Sequence, residues 1–134
     1  MAECCTGGTV LLYSCSGASD LGEISDRVAR KAAKQKLGGM TCLAAVGAHL
    51  SGFVESAKGA SDNITIDGCS VACSKKVLEH IGVSAKSYIL TEMGFKKGKT
   101  PPSEKVVNKI LKKILNDSGD KQKRNSGKEE NCSC

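Results

Sequence analysis

The chain has 134 residues, and its aromatic side chains are limited to two tyrosines and two phenylalanines. A chain of this length forms one domain with a single modest core, which must here be built from Val, Ile, Leu and Ala. No apolar stretch is long enough to cross a membrane, and the amino-terminal residues lack a basic segment followed by an apolar one. We therefore expect a cytoplasmic protein with no membrane partner.

The net charge of +6 arises from one segment. Residues 95–116 carry seven lysines against Glu104 alone, whereas the charges within residues 1–94 and within residues 117–134 cancel. Such a run is usually the solvated face of a helix with an adjoining loop. Its lysines are not accompanied by arginine or by interleaved aromatic residues, so nucleic acid is not an expected partner.

Buried-strand patterns alternate with helical periodicities along the chain. The predicted strands are residues 10–13, 40–46, 64–66 and 88–90, and the predicted helices between them are residues 20–37, 47–58 and 71–81. Ser103 is placed to cap a last helix, whose apolar stripe runs through residues 106–115. This order predicts a small three-layer α/β domain with a four-stranded, mostly parallel sheet and helices on both faces.

The domain boundaries follow from composition. We expect residues 1–8 to be a flexible amino-terminal end and residues 9–116 to be a single α/β domain that binds metal. Residues 117–134 are polar and charge-balanced, with no apolar residue before Cys132. Because such a segment cannot offset the entropy cost of ordering, it is predicted to be a disordered tail.

Eight cysteines are the most informative feature of the composition. In a reducing cytosol, clustered cysteines are more often metal ligands or catalytic thiols than disulfides. Four lie in the flanking ends, where we expect accessible but unassembled thiols: Cys4, Cys5, Cys132 and Cys134. The other four lie at predicted junctions of strands and helices: Cys15, Cys42, Cys69 and Cys73.

The four junction cysteines are predicted to meet at one edge of the sheet. Cys69 and Cys73, four positions apart, would share one face of the third helix, and Cys15 follows the first strand. Since parallel strands end at a common edge, where open α/β folds place their sites, these thiols should converge, with Cys42 nearby in the second strand. The arrangement predicts a four-thiolate metal site.

Two neighbouring side chains are further candidates at this edge. Asp67 precedes Gly68 and is interpreted first as a turn-former, with metal ligation or a hydrogen bond to a ligand as alternatives. His49 could supply an imidazole ligand, although histidines at helix starts are more often merely solvated.

Other interpretations of the same cysteines are open. Cys15 precedes a helix amino terminus, where a thiolate or a bound oxyanion is stabilised. A cysteine-dependent phosphatase is excluded because Leu21 stands where its phosphate-binding arginine would be, and neither nucleotide-binding glycine fingerprint is present. Thiol redox chemistry, with Cys15 or Cys69 as the reactive thiol, and inert burial of the cysteines are the remaining alternatives.

Residues from about 9 to 95 resemble the DGC-domain family, whose members are described as zinc-binding proteins. The resemblance is carried by Cys15-Ser16-Gly17-Ala18-Ser19, by the segment from Cys42 to Phe53, and by Ile66-Asp67-Gly68-Cys69 through Lys76. Relatives often have proline after the motif cysteine, where this chain has Ser70, and either residue suits a first helical turn. The resemblance implies a cysteine-based zinc site at positions 15, 42, 69 and 73, and it lends no biochemical activity.

The functional expectation is therefore a zinc-binding protein, not an enzyme. A closed four-thiolate shell leaves no open position for water, so zinc would have a structural or carrier role rather than a hydrolytic one. The alternative is a thiol-dependent redox enzyme or redox sensor. A metal ion is the expected partner, and the sequence does not identify a protein partner.

Overall fold

The structure, a computed structural model, describes residues 8–125. The strands are β1 (Val10–Ser14), β2 (Gly39–Met40), β3 (Asp62–Asp67) and β4 (Lys86–Ile89). The helices are α1 (Asp20–Lys34), α2 (Leu43–Gly47), α3 (Ser51–Gly59), α4 (Cys73–His80) and α5 (Glu104–Asn125), and Leu90–Met93 forms a 3₁₀ turn. Cys4, Cys5, Cys132 and Cys134 lie outside the described residues.

The sheet has the order β2-β1-β3-β4, and every pair of strands is parallel. The predicted three-layer α/β fold is confirmed, with a sheet that is entirely parallel rather than mostly so. No helix within residues 8–125 is both long and apolar enough to span a membrane.

Successive residues of β1 face the two layers of helices. Leu12 is buried against α1 and α5, together with Ile64 and Ile66 of β3. Tyr13 is buried against the other layer with Val46 of α2, Ala57 of α3 and Leu78 of α4. This alternation follows from the two-residue period of a strand, and it gives the domain two apolar layers around one sheet.

The second predicted strand is wrong for most of its length. Strand β2 ends at Met40, and Cys42 is the extended residue that precedes α2. A continuous apolar run does not distinguish a buried strand from a short buried helix, and Ala44 and Ala45 favour the helix here. Cys42 is therefore exposed at a helix start and does not lie within the sheet.

The loop after β4 is fastened to the start of α1 by Asp20. The Asp20 carboxylate accepts hydrogen bonds from the amides of Gly98 (2.9 Å) and Thr100 (3.0 Å). These amide donors hold the pKa of Asp20 below its ordinary value. The loop then leads to α5, which continues past Asn116, the last residue before the predicted tail, as far as Asn125. Residues 126–134 of that tail lie outside the described part of the chain.

Candidate thiol site at the carboxyl edge of the sheet

The chain leaves β1 and β3 toward opposite faces of the sheet. After β1 it enters α1, in the layer shared with α5, and after β3 it enters α4, in the other layer. The carboxyl ends of β1 and β3 therefore flank a topological switch point, which is where open α/β sheets form a binding crevice. Cys15 follows β1 directly, and the Asp67-Gly68-Cys69 segment ends β3 and leaves it. Both segments meet at this crevice.

Cys15 is held in place by the β3 strand beside it. Its amide donates to the Ile66 carbonyl (3.1 Å), and its Sγ accepts from the Gly68 amide (3.4 Å). The Ser25 hydroxyl, which is fully buried on α1, lies 3.2 Å from the same sulfur. Cys15 is thus a half-buried thiol with a backbone amide directed at its sulfur and a hydroxyl oxygen beside it.

The hydrogen bond between Cys15 and Ser25 depends on the protonation state of the thiol. Ser25 has one hydroxyl proton, and it donates that proton to the Gly22 carbonyl (2.7 Å). A neutral Cys15 therefore donates its S–H to the Ser25 oxygen. A Cys15 thiolate, in contrast, would accept both from the Gly68 amide and from a reoriented Ser25 hydroxyl. The surroundings provide hydrogen-bond donors to a thiolate without moving the backbone.

Gly68 allows α1 to approach the end of β3 closely. A Cβ at position 68 would lie 2.9 Å from the Leu21 carbonyl carbon and 3.0 Å from the Gly22 amide nitrogen. A Cβ at position 22 would in turn lie 2.3 Å from the Gly17 carbonyl oxygen. Because these contacts are to backbone atoms, only glycine fits at either position. The glycine of the Asp67-Gly68-Cys69 motif therefore brings Ser25 and Cys15 together.

Asp67 has a defined structural role. Its buried carboxylate accepts from the amides of Ser74 (2.8 Å) and Lys75 (3.2 Å), which are the second and third residues of α4. The side chain thereby satisfies two of the free amides at the start of the helix. Its negative charge also lies at the positive end of the helix dipole, which is a stabilising arrangement. The interpretation of Asp67 as a turn-former did not include this capping role.

The predicted sharing of one helix face by Cys69 and Cys73 is wrong. Helix α4 begins at Cys73, and Ala72 before it has a left-handed backbone (φ 52°). The Ala72 amide donates to the Cys69 carbonyl (3.0 Å), so Cys69 belongs to a turn outside the helix. The Asp67 cap fixes the helix start two residues later than the sequence pattern suggests. Cys69 is half-buried and Cys73 is exposed.

Cys15 and Cys42 line the same groove, which we call the thiol trough. It runs between α1 and the start of α2 and also contains Asp26, Arg30, Gly47 and Val77. Neither Cys69 nor Cys73 lines this groove. Of the four predicted ligands, the structure thus places two in one groove and the other two beyond it, on the segment that leads into α4.

Asp26 organises one wall of the thiol trough. Its carboxylate accepts from the Ser16 hydroxyl (2.8 Å) and from Arg30 Nε (2.7 Å). Burial would raise the pKa of Asp26, but these hydrogen bonds and the Arg30 charge outweigh that effect and hold the pKa below its ordinary value. Asp26 and Arg30 were not predicted, nor was Ser25. Ser25 could have been found, because it is a polar residue on the apolar stripe formed by Leu21, Ile24 and Val28.

The described residues contain no ready-made metal centre. Among them, no three side chains of His, Cys, Asp or Glu converge closely enough to hold an ion. The four junction cysteines are all free thiols. His49 is exposed and lies against His80 at the far end of α4, with ring centroids 6.4 Å apart. It does not line the thiol trough.

Comparison with known proteins places this arrangement in a family. The family model of the DGC domain matches residues 11–114, which include the whole sheet except Val10, the four free thiols and the Asp67 cap. The chain belongs to the DGC-domain family. This confirms the resemblance found in the sequence. Membership in the family supports a role in metal binding in general, without specifying the ion.

One curated relative of this DGC domain is the anaerobic and virulence modulator AnvM of Pseudomonas aeruginosa. It is 32% identical over 88 residues, which are 65% of this chain and 67% of that protein. No solved structure matches the chain.

Proposed function

We propose that this DGC domain binds one zinc ion through Cys15, Cys42, Cys69 and Cys73 and acts as a zinc carrier. The observation that carries the proposal is the meeting of the Cys15 and Cys69 segments at the switch point of the sheet, with Cys42 in the groove beside Cys15. Thiolate is a ligand that zinc prefers, and membership in the DGC family points in the same direction.

A carrier role fits this arrangement better than a structural one. Cys42 and Cys73 are exposed, and no three of the described donors already converge. Both apolar layers are packed by side chains alone. Zinc would therefore draw exposed thiols toward a fixed Cys15 rather than hold the fold together. An ion held by exposed, adjustable thiols can pass to another thiol ligand by exchange.

Asp67 and Gly68 would support such a site without binding the ion. Asp67 holds the start of α4, and with it Cys73, by accepting from the Ser74 and Lys75 amides. Gly68 directs its amide to the Cys15 sulfur. Hydrogen bonds of this kind orient metal ligands and tune their donor strength.

The test is the metal content of protein purified anaerobically without chelator. We expect about one zinc per chain, with zinc–sulfur distances of about 2.3 Å measured by X-ray absorption. Cys69→Ser or Cys73→Ser should lose most of the zinc. The matched control replaces Cys4, Cys5, Cys132 and Cys134 with serine and should retain it. Full retention in both the Cys69→Ser and the Cys73→Ser proteins would refute the proposed ligand set.

A second candidate function is thiol redox sensing, and the surroundings of Cys15 favour it specifically. Hydrogen peroxide would oxidise the Cys15 thiolate to a sulfenic acid as its O–O bond breaks, and the hydroxide released would take a proton from solvent to become water. The Cys42 thiol would then displace the sulfenic hydroxyl, forming a disulfide and a second water. The Gly68 amide and the Ser25 hydroxyl would stabilise the reacting thiolate. The name of the relative AnvM, an anaerobic modulator, is compatible with such chemistry.

Mass-spectrometric mapping of alkylation sites separates the two functions. If zinc occupies the thiols, they should resist alkylation until acid or a chelator removes the ion. If the protein is a redox sensor, one thiol should react rapidly at neutral pH and form a reversible disulfide. Cys15 or Cys69 proving the fastest thiol of the zinc-loaded protein would overturn the carrier proposal.

A further inference from the structure

The chain contains two histidines, and the fold brings them together. His49 lies between α2 and α3, and His80 is the last residue of α4. Their ring centroids are 6.4 Å apart, with the ring planes inclined at 62°. The two residues are 31 positions apart in sequence, so their pairing is a product of the tertiary structure.

The backbone at His49 has an uncommon conformation that fixes this placement. Its φ of 57° is in the left-handed region, which few residues other than glycine adopt. The His49 amide donates to the Val46 carbonyl (3.0 Å), and Leu50 after it is extended before α3 begins. The strained residue turns the chain between two helices and sets the imidazole beside the end of α4.

The separation of the rings suits a shared metal ion. Two imidazoles bound to one tetrahedral ion through nitrogens about 2.0–2.1 Å away place their ring centroids about 5 Å apart. The observed 6.4 Å is about 1.4 Å wider than this separation, and both side chains are exposed and free to rotate. Neutral imidazole is a preferred ligand of zinc, copper and nickel ions.

A small depression joins the histidines to the thiol trough. It is lined by His49, His80 and Lys76 together with Val46, Gly47 and Val77. Gly47 and Val77 also line the thiol trough, so the two grooves adjoin. The positive charge of Lys76 opposes a bound cation, which would make binding here weaker than at four thiolates.

We propose that His49 and His80 form a two-imidazole site for a divalent transition-metal ion, and that this site loads the thiol trough. The binding half of the proposal is independent of the carrier function, whereas the loading half rests on it. A weak, exposed site beside a stronger one raises the local concentration of the ion, and it releases the ion readily.

The binding half is tested in the full chain with Cys4, Cys5, Cys132 and Cys134 replaced by serine. Zn²⁺ alone is titrated into protein that has been preloaded with one equivalent of zinc for the thiols, while the imidazole proton signals are followed by NMR. Both histidines should shift along one binding curve. His49→Ala and His80→Ala should each weaken this event about tenfold, equivalent to about 1.4 kcal/mol, and Lys76→Gln should strengthen it. Signals that do not move together, or alanine variants that bind as tightly as the parent, would overturn the site.

The loading half is tested by the rate at which metal-free protein takes up zinc. Each histidine variant should fill the thiol site more slowly and yet reach the same final zinc content. An unchanged rate would refute loading. If the thiols hold no zinc but both histidine signals shift as expected, only the carrier function is refuted. Failure of the carrier function is therefore distinguishable from failure of the histidine site.

Discussion

Substituting Gly68 by alanine should destabilise the domain, because the new Cβ would lie too close to backbone atoms of α1. It would lie 2.9 Å from the Leu21 carbonyl carbon and 3.0 Å from the Gly22 nitrogen, both closer than an ordinary van der Waals contact. Gly68 is not among the glycines with a left-handed backbone, so the cost is steric. Inserting one carbon into a tightly packed contact costs about 1–3 kcal/mol. The melting temperature should fall by roughly 4–12 °C in a domain of this size.

The matched control is Gly52→Ala in α3, where nothing lies within 4 Å of the added carbon. Alanine is the better helix former there and should stabilise the protein by about 0.5–1 kcal/mol. Thermal unfolding of the two metal-free variants, followed by circular dichroism, should therefore give shifts of opposite sign. A Gly68→Ala protein as stable as the Gly52→Ala protein would refute the close approach of α1 to the end of β3.

Substitutions at three other positions test separate parts of the structure. Asp67→Ala should lower the free energy of unfolding by about 2–4 kcal/mol because two helix amides lose their acceptor, and Asp67→Asn should recover part of that loss. Equal stability of wild type and Asp67→Ala in urea unfolding would contradict the capping role of Asp67. Asp20→Asn should reduce stability at neutral pH. The pKa of Asp20 in the folded protein lies below its ordinary value of 3.8, so the stabilisation by its carboxylate is fully present above pH 3.8. This stabilisation disappears as the pH falls through the folded pKa. The urea midpoints of the two proteins should therefore converge in acid. Ile110→Asp should destabilise the domain by roughly 3 kcal/mol or more, through lost burial and an unpaired buried charge, and an unchanged melting temperature would show that α5 does not pack on the sheet.

The sequence was sufficient to predict the order of the four strands and of every helix except α2, because each apolar pattern has its own period. Val10 to Tyr13 forms a continuous apolar run, and the apolar residues of α1 recur every three or four positions. The pattern failed at residues 40–46, where an apolar run without strong periodicity is equally compatible with a strand and a short helix.

The errors at the candidate site have a different physical origin. The start of α4 is set by the Asp67 side chain, which reaches the amides of residues seven and eight positions later. A local pattern around Cys69 contains no information about that contact. The pairing of Cys15 with Ser25 likewise depends on the approach of α1 to Gly68, and the pairing of His49 with His80 depends on the positions of α3 and α4. These are consequences of tertiary packing.

The short edges of the sheet also affect how the protein behaves in concentrated solution. Strand β2 has two residues and strand β4 has four, so each outer strand offers few free amides and carbonyls to a second chain. Such short edges disfavour the strand-to-strand association that produces aggregates of sheet proteins. Covalent association is a separate route, since Cys42 and Cys73 are exposed. Oligomers that form during storage in air should therefore disperse on addition of a thiol reductant.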